Sequence, residues 1–192
     1  MAGADLFDEA FAAHAATLTA TRRALRDPFE TLVRLCTHSV RNGGKIVFFG
    51  NGGSAADAQH LAAELTVRYQ RDREPIPALA LTTDTSVLTA IGNDLGFDRV
   101  FARQVRAVCR PGDVCIALST SGESENVVNG LRAAKERGCI GAGLAGRAGG
   151  RMIDLASPLL VVPSESTARV QEMHILLGHA LCEALERELT PA

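Results

Sequence analysis

Two glycine-rich polar loops and one helical face carry the residue types in this chain that do chemistry. The first loop is Gly50-Asn51-Gly52-Gly53-Ser54, between the apolar run Ile46–Phe49 and a helix-forming stretch. Glycines let the backbone approach a ligand closely, and a helix start offers free N–H groups and a partial positive charge. A turn of this kind is suited to an anion. Down the same helix His60, Glu64 and Arg68 recur every four residues, so one face presents an imidazole, a carboxylate and a guanidinium. His60 and Glu64 at that spacing can share a metal ion, and Arg68 is placed to neutralise charge or to meet a second subunit. The second loop, Ser119-Thr120-Ser121-Gly122-Glu123-Ser124, sets four hydroxyls around a glycine at another helix start. Hydroxyls and backbone N–H groups bind phosphate without a lysine, whereas capping the helix needs only one of them.

Other nucleotide or nucleophile motifs fit less well. Gly50-x-Gly52-x-x-Ala55 matches the dinucleotide pattern formally, with Asp84 as the acid for the ribose. That acid falls some thirty residues on, where about twenty is usual. There is no G-x-x-x-x-G-K-[ST] and no G-x-S-x-G.

The elements that must hold these loops alternate regularly. Short apolar strands are expected at Ile46–Phe49, Ala78–Leu81, Val114–Leu118, Cys139–Ala145 and Leu159–Val162. Helical stretches separate them: the segment after Ser54, Val87–Ile91 broken by Gly92-Asn93-Asp94, Phe97–Val108, and Glu125–Arg137 closed by Gly138. A long helix follows Thr167 to about residue 188. Two more, residues 5–26 and Pro28–Arg41, precede the first strand. The pattern implies an α/β fold: a three-layer sandwich with a five-stranded parallel sheet, flavodoxin-like, plus N-terminal helices. The expected organisation is one domain, with a helical arm over 1–43, a core over 44–165 and a C-terminal helix over 166–192. Both polar loops then leave C-terminal strand ends, where open sheets bind ligands.

Composition narrows the class. The chain has 192 residues, 46% of them hydrophobic and 22% charged, with a net charge of −2. This leaves no electrostatic case for nucleic acid or an anionic membrane. With one Tyr and no Trp there is no base-stacking surface. No apolar run is long enough to span a membrane and no leader is seen, so a cytoplasmic protein is expected. Five cysteines at 36, 109, 115, 139 and 182 form no C-x-x-C and read as reduced core residues, not metal ligands.

The loop pair N-G-G-S and S-T-S-G-x-S in a five-strand frame resembles the sugar isomerase (SIS) domain, which binds phosphosugars. The resemblance narrows with Gly50 to His60, Ala63-Glu64-Leu65, Gly92-Asn93-Asp94 and Arg169-Val170-Gln171-Glu172-Met173-His174, which look like the phosphoheptose isomerase family. That family converts sedoheptulose 7-phosphate to the aldoheptose 7-phosphate at the head of bacterial heptose synthesis for lipopolysaccharide. A relative of the same fold, which binds the replication initiator, shares Leu88-Thr89-Ala90-Ile91 and the Ala168–His174 segment. In that group the glutamate and the last-helix histidine are replaced; this chain keeps Glu64 and His179. A SIS isomerase for another phosphosugar is the third reading.

The resemblance implies roles residue by residue. Glu64 is the candidate base for an enediol mechanism and His179 the acid. Substrate contacts are implied for Asn51, Gly52, Gly53, Ser54, Glu64, Asn93, Asp94 and Gln171, with Ser119, Thr120, Ser121 and Ser124 on the phosphate. Zinc is implied at His60, Glu64, Gln171 and His179. Imidazole and oxygen donors suit that ion. Gln171 and His179 lie eight residues apart, about 12 Å along a helix, which two long side chains can close. The family also implies a homotetramer with sites between subunits. His14, His38 and His174 are expected to be structural.

Overall fold

The computed structural model describes residues 2–190. Five strands, β1 (Ile46–Gly50), β2 (Ala78–Ala80), β3 (Val114–Ser119), β4 (Ile140–Gly146) and β5 (Leu159–Val162), pair in parallel in the order β2-β1-β3-β4-β5. The helices are α1 (Ala2–Ala24), α2 (Arg26–Arg41), α3 (Gly53–Thr66), α4 (Thr85–Asp94), α5 (Val100–Val108), α6 (Glu125–Glu136) and α7 (Thr167–Leu189). All residues of the central strands β1 and β3 are buried, as expected for strands covered on both faces. One core, with Leu32, Phe48, Leu61, Ile116 and Met173, lies between the sheet and α2, α3 and α7. The other, with Val47, Phe49, Phe101, Val127 and Leu131, lies under α4, α5 and α6. Alternate residues of β1 thus feed opposite layers, the consequence of a two-residue side-chain period.

The expected α/β order holds, with differences at element ends. Gly92-Asn93-Asp94 does not break α4; the helix runs through it to Asp94. A glycine costs a helix only about 1 kcal/mol, and the Asp84 carboxylate caps this one by accepting the Val87 N–H at 3.0 Å. Phe97–Arg99 forms a 3-10 turn ahead of α5. Pro28 falls in the first turn of α2, where a missing N–H is tolerated. Among the described residues no helix is long and apolar enough to cross a membrane. The cysteines form no disulfide, and four of the five are buried.

His174 behaves as the structural residue expected. It is fully buried on α7, and its Nε2 lies 3.1 Å from the Ala145 carbonyl at the end of β4. That contact makes Nε2 the protonated nitrogen and leaves the buried Nδ1 without a partner. Burial pulls the imidazole down from 6.5 to about 4, against the opposing effect of the Ala145 bond. The fold therefore holds the neutral ring. Its contribution is complete above pH 6.5 and is lost as pH falls toward 4, a total of about 3 kcal/mol. Urea denaturation at pH 7 and pH 4 is expected to show a larger loss for the native chain than for His174→Gln. Equal losses would contradict this account.

Candidate active site

The sheet order reverses between β1 and β3, and the two polar loops leave these neighbouring strands. A crevice between diverging connections at such a point is the ligand position in open α/β sheets. Gly52 makes the first turn with φ 56° and ψ −122°, a backbone region that a side chain rarely enters. No side chain caps α3. Ser124 occupies the cap position of α6 yet makes no capping bond. The serines shape the second loop instead. Ser119 Oγ accepts the Gly122 N–H at 3.1 Å and lies 3.4 Å from Ser124 Oγ, and Ser121 Oγ accepts the Glu123 N–H at 3.2 Å. Ser54 and Ser119 are buried, whereas Thr120, Ser121 and Ser124 are half-buried. Asp84 is committed to capping α4, which removes the candidate for ribose recognition.

A residue pair joins the two loops. The Asn51 and Asn126 side chains exchange two hydrogen bonds, each of 2.8 Å. Asn126, in the first turn of α6, is buried. Sequence reasoning passed over it; the available signal was an amide beside the apolar pair Val127-Val128, which burial would penalise unless it were partnered.

The helical face is completed by α7. Gly178 packs directly on Leu61 of α3, and a Cβ at Gly178 would come within 2.5 Å of the Leu61 methyls. This close crossing puts His179 Nε2 2.8 Å from His60 Nε2, with the rings edge to face. Glu64 Oε1 lies 3.5 Å from the same His60 nitrogen. Tyr69 stacks on His179 with ring centroids 5.5 Å apart. Gln171, seven residues before Gly178, lays its amide over Gly53, so a Cβ there would overlap it. The structure therefore gathers His60, Glu64 and His179, and places Gln171 at the head of α3. Asn93 and Asp94 are exposed and bonded to each other at 2.7 Å. α3 ends at Thr66, so Arg68 lies beyond the helix, exposed, and does not continue the His60–Glu64 face.

Support for this cluster comes from a buried ion pair. The Arg73 guanidinium donates to the carbonyl oxygens of Glu64 and Leu65 at 2.9 and 2.8 Å, and to the Glu186 carboxylate at 3.0 Å. Glu186 also accepts the N–H groups of Tyr69, Gln70 and Arg71. Burial alone would raise the Glu186 carboxyl, but these donors and the Arg73 charge hold it below its ordinary value. The pair thus satisfies the exposed carbonyl end of α3 and fixes the turn that carries Tyr69. On α3 itself the Asp57 carboxyl is raised by burial, opposed by the charge of nearby His60, and its Oδ2 has no hydrogen-bond partner.

The donor set fits a zinc ion in part. Two imidazole nitrogens and a carboxylate oxygen converge around His60. Among the described residues, though, the one group of three His, Cys, Asp or Glu donors lying mutually within 4.8 Å is Cys109, Cys115 and Cys139.

Comparisons with known proteins agree with the geometry. Residues 10–146 match the family model described as the SIS domain. The phosphoheptose isomerase of Paramagnetospirillum magneticum is 57% identical over 189 residues, covering 98% of each chain. The solved phosphoheptose isomerase of Neisseria gonorrhoeae superposes with a TM-score of 0.90 at 45% identity, covering 95% of this chain and 98% of that one. That of Francisella tularensis gives 0.94 at 32% identity, covering 97% and 100%. The chain belongs to the SIS domain family and, within it, to the phosphoheptose isomerases.

The Gly178–Leu61 contact is testable as a coupling. Gly178→Ala is expected to cost about 1–3 kcal/mol by overpacking. Most of that cost should vanish when it is made in a Leu61→Ala background, as read by denaturant midpoints. Equal costs in both backgrounds would contradict direct packing of α7 on α3.

Proposed function

We propose that the chain is an aldose–ketose isomerase that converts sedoheptulose 7-phosphate to D-glycero-D-manno-heptose 7-phosphate. The observation that carries this reading is the grouping of His60 and Glu64, on the helix that begins at the first anion loop, with His179 of α7. The names of the near relatives support a seven-carbon phosphosugar as substrate. They also weigh against the replication-scaffold reading, to which the retained Glu64 and His179 add.

The proposed chemistry follows from the positions. The phosphate is bound by the hydroxyls of Ser119, Thr120, Ser121 and Ser124 and the open N–H groups at the start of α6. Asn51, Gly52, Gly53 and Ser54 bind sugar hydroxyls or phosphate from the other side of the crevice, with Gln171 over Gly53. Glu64 removes the C1 proton of the ketose, the electron pair of that bond forms the C1–C2 double bond, and O2 takes a proton as the enediol forms. Glu64 then returns a proton to C2 while O1 gives up its proton and becomes the aldehyde oxygen. His179 carries protons to and from these oxygens, since an imidazole both donates and accepts near neutral pH. Asn93 and Asp94, exposed and uncommitted to this cluster, fit a substrate contact made across a subunit boundary. His60, Glu64 and His179, joined by the Gln171 amide, would hold zinc. When bound, that ion supplies Lewis-acid polarisation of the sugar oxygens.

An oligomer, with a homotetramer as the specific proposal, is supported by exposed apolar surface. Leu6, Phe7 and Phe11 on α1 are more than 60% exposed. A concavity of about 360 Å³ between α1, α2 and α7 is lined by Leu18, Leu25, Phe29, Leu176 and Leu177 among others. Both are larger than scattered surface apolar groups require. A cytoplasmic step at the head of heptose synthesis for lipopolysaccharide is the matching cellular role.

Glu64→Gln is expected to lower turnover by roughly 10²–10⁴-fold while keeping the fold and phosphosugar binding, the loss typical of a removed general base. Turnover assays, circular dichroism and calorimetric titration check the three parts. An active variant would remove Glu64 as the base. Exhaustive chelation is expected to lower activity and added zinc to restore it; unchanged activity in verified metal-free protein would remove the ion from the reaction.

A further inference from the structure

At the opposite end of the sheet from the sugar loops, three cysteines that are far apart in sequence come together. Cys109 ends α5, Cys115 is the second residue of β3, and Cys139 immediately precedes β4. Their sulfurs all lie within 4.8 Å of one another. The Cys109–Cys115 separation is 3.8 Å. Zinc–thiolate bonds of about 2.3 Å at tetrahedral angles place sulfurs about 3.8 Å apart. Cys109 and Cys115 are buried in the α5–α6 side of the core, and Cys139 is half-buried and opens the cluster to solvent.

We propose that Cys109, Cys115 and Cys139 form a second metal site, holding one soft d10 cation such as Zn²⁺ through three thiolates, with water or the Arg110 carbonyl as the fourth ligand. That carbonyl lies 3.2 Å from Cys139 Sγ. Thiolate sulfur selects soft cations, a different chemistry from the imidazole and carboxylate donors around His60. The cluster does not depend on the sugar site or its reading.

The hydrogen bond from Cys115 lowers the Cys139 thiol most, aided by the positive charges of Lys45 and Arg137 and opposed by burial and Asp113. Cys115 is raised by its hydrogen bonds to Cys109 and Cys139 and by burial. A cation entering from the half-buried Cys139 side displaces the protons of the thiols it binds. Once bound, the cation ties the end of α5 to the starts of β3 and β4, three segments otherwise held there by backbone pairing and by Asp113. The Asp113 carboxylate accepts the N–H groups of Lys45 and Arg110 at 2.9 and 2.8 Å.

The test uses the full chain, reduced and stripped of metal, and titrates it with Cd²⁺ while following the ultraviolet thiolate-to-cadmium charge-transfer band. The band is expected to saturate at one equivalent, to persist in a His60→Ala/His179→Ala variant and to be lost in Cys139→Ser. Separately, one equivalent of Zn²⁺ is expected to slow iodoacetamide alkylation of Cys139 in the native sequence at least tenfold, as read by peptide mass spectrometry. The alkylation measurement holds even if Cys139→Ser is poorly folded. No band with the native sequence, a band undiminished in folded Cys139→Ser, or alkylation unaffected by Zn²⁺ would each overturn the site.

Discussion

Two helices begin at the crevice between β1 and β3 with no side chain satisfying their first N–H groups. Everything else about the site depends on keeping those starts together and open. The donors carry partial positive charge and need a partner from outside the chain. The serines that could cap α6 are turned to loop shaping, and Gly52 gives α3 a start with no side chain at all. The mutual Asn51–Asn126 amide pair then fixes one loop against the other helix. Each amide gives the other one donor and one acceptor, so the pair rigidifies the crevice without consuming the helix donors.

The second constraint is the close approach of α7 to α3. A glycine at 178 lets the Leu61 side chain seat against backbone, and the next residue, His179, meets His60 as a result. The buried Arg73–Glu186 pair is anchored on the same two helices. Arg73 closes the carbonyl end of α3 beneath Glu64, while Glu186 gathers the N–H groups of the following turn. A buried pair of this kind does little for stability compared with apolar packing. Here it satisfies backbone groups on both sides and positions Tyr69 against His179. A cost in desolvation is balanced by a fixed geometry around the Glu64–His60–His179 group.

Much of this was legible in the sequence. Alternating apolar runs and helical stretches identify the parallel sheet because each strand is buried on both faces. The two loops stand out because glycine and hydroxyl residues sit where a strand gives way to a helix. His60 and Glu64 were found by spacing, and His179 only through resemblance, since a histidine among leucines reads as core. What was missed depends on contacts between distant segments. Asn126, Tyr69, Arg73 and Glu186 have ordinary neighbours in sequence, and their partners are set by tertiary packing. The proximity of Cys139 to Cys109 and Cys115 was not visible for the same reason: the three form no C-x-x-C, and the β3–β4 pairing brings Cys139 to the other two. At Arg68 the helical periodicity was extended one turn too far, past the end of α3.

The central claim is that Glu64 moves a proton between adjacent sugar carbons through an enediol. Incubating the protein with sedoheptulose 7-phosphate in deuterated water and following the product by NMR tests it most directly. The account predicts an aldoheptose 7-phosphate carrying solvent deuterium at C2. No conversion by correctly folded, zinc-supplied protein would contradict it.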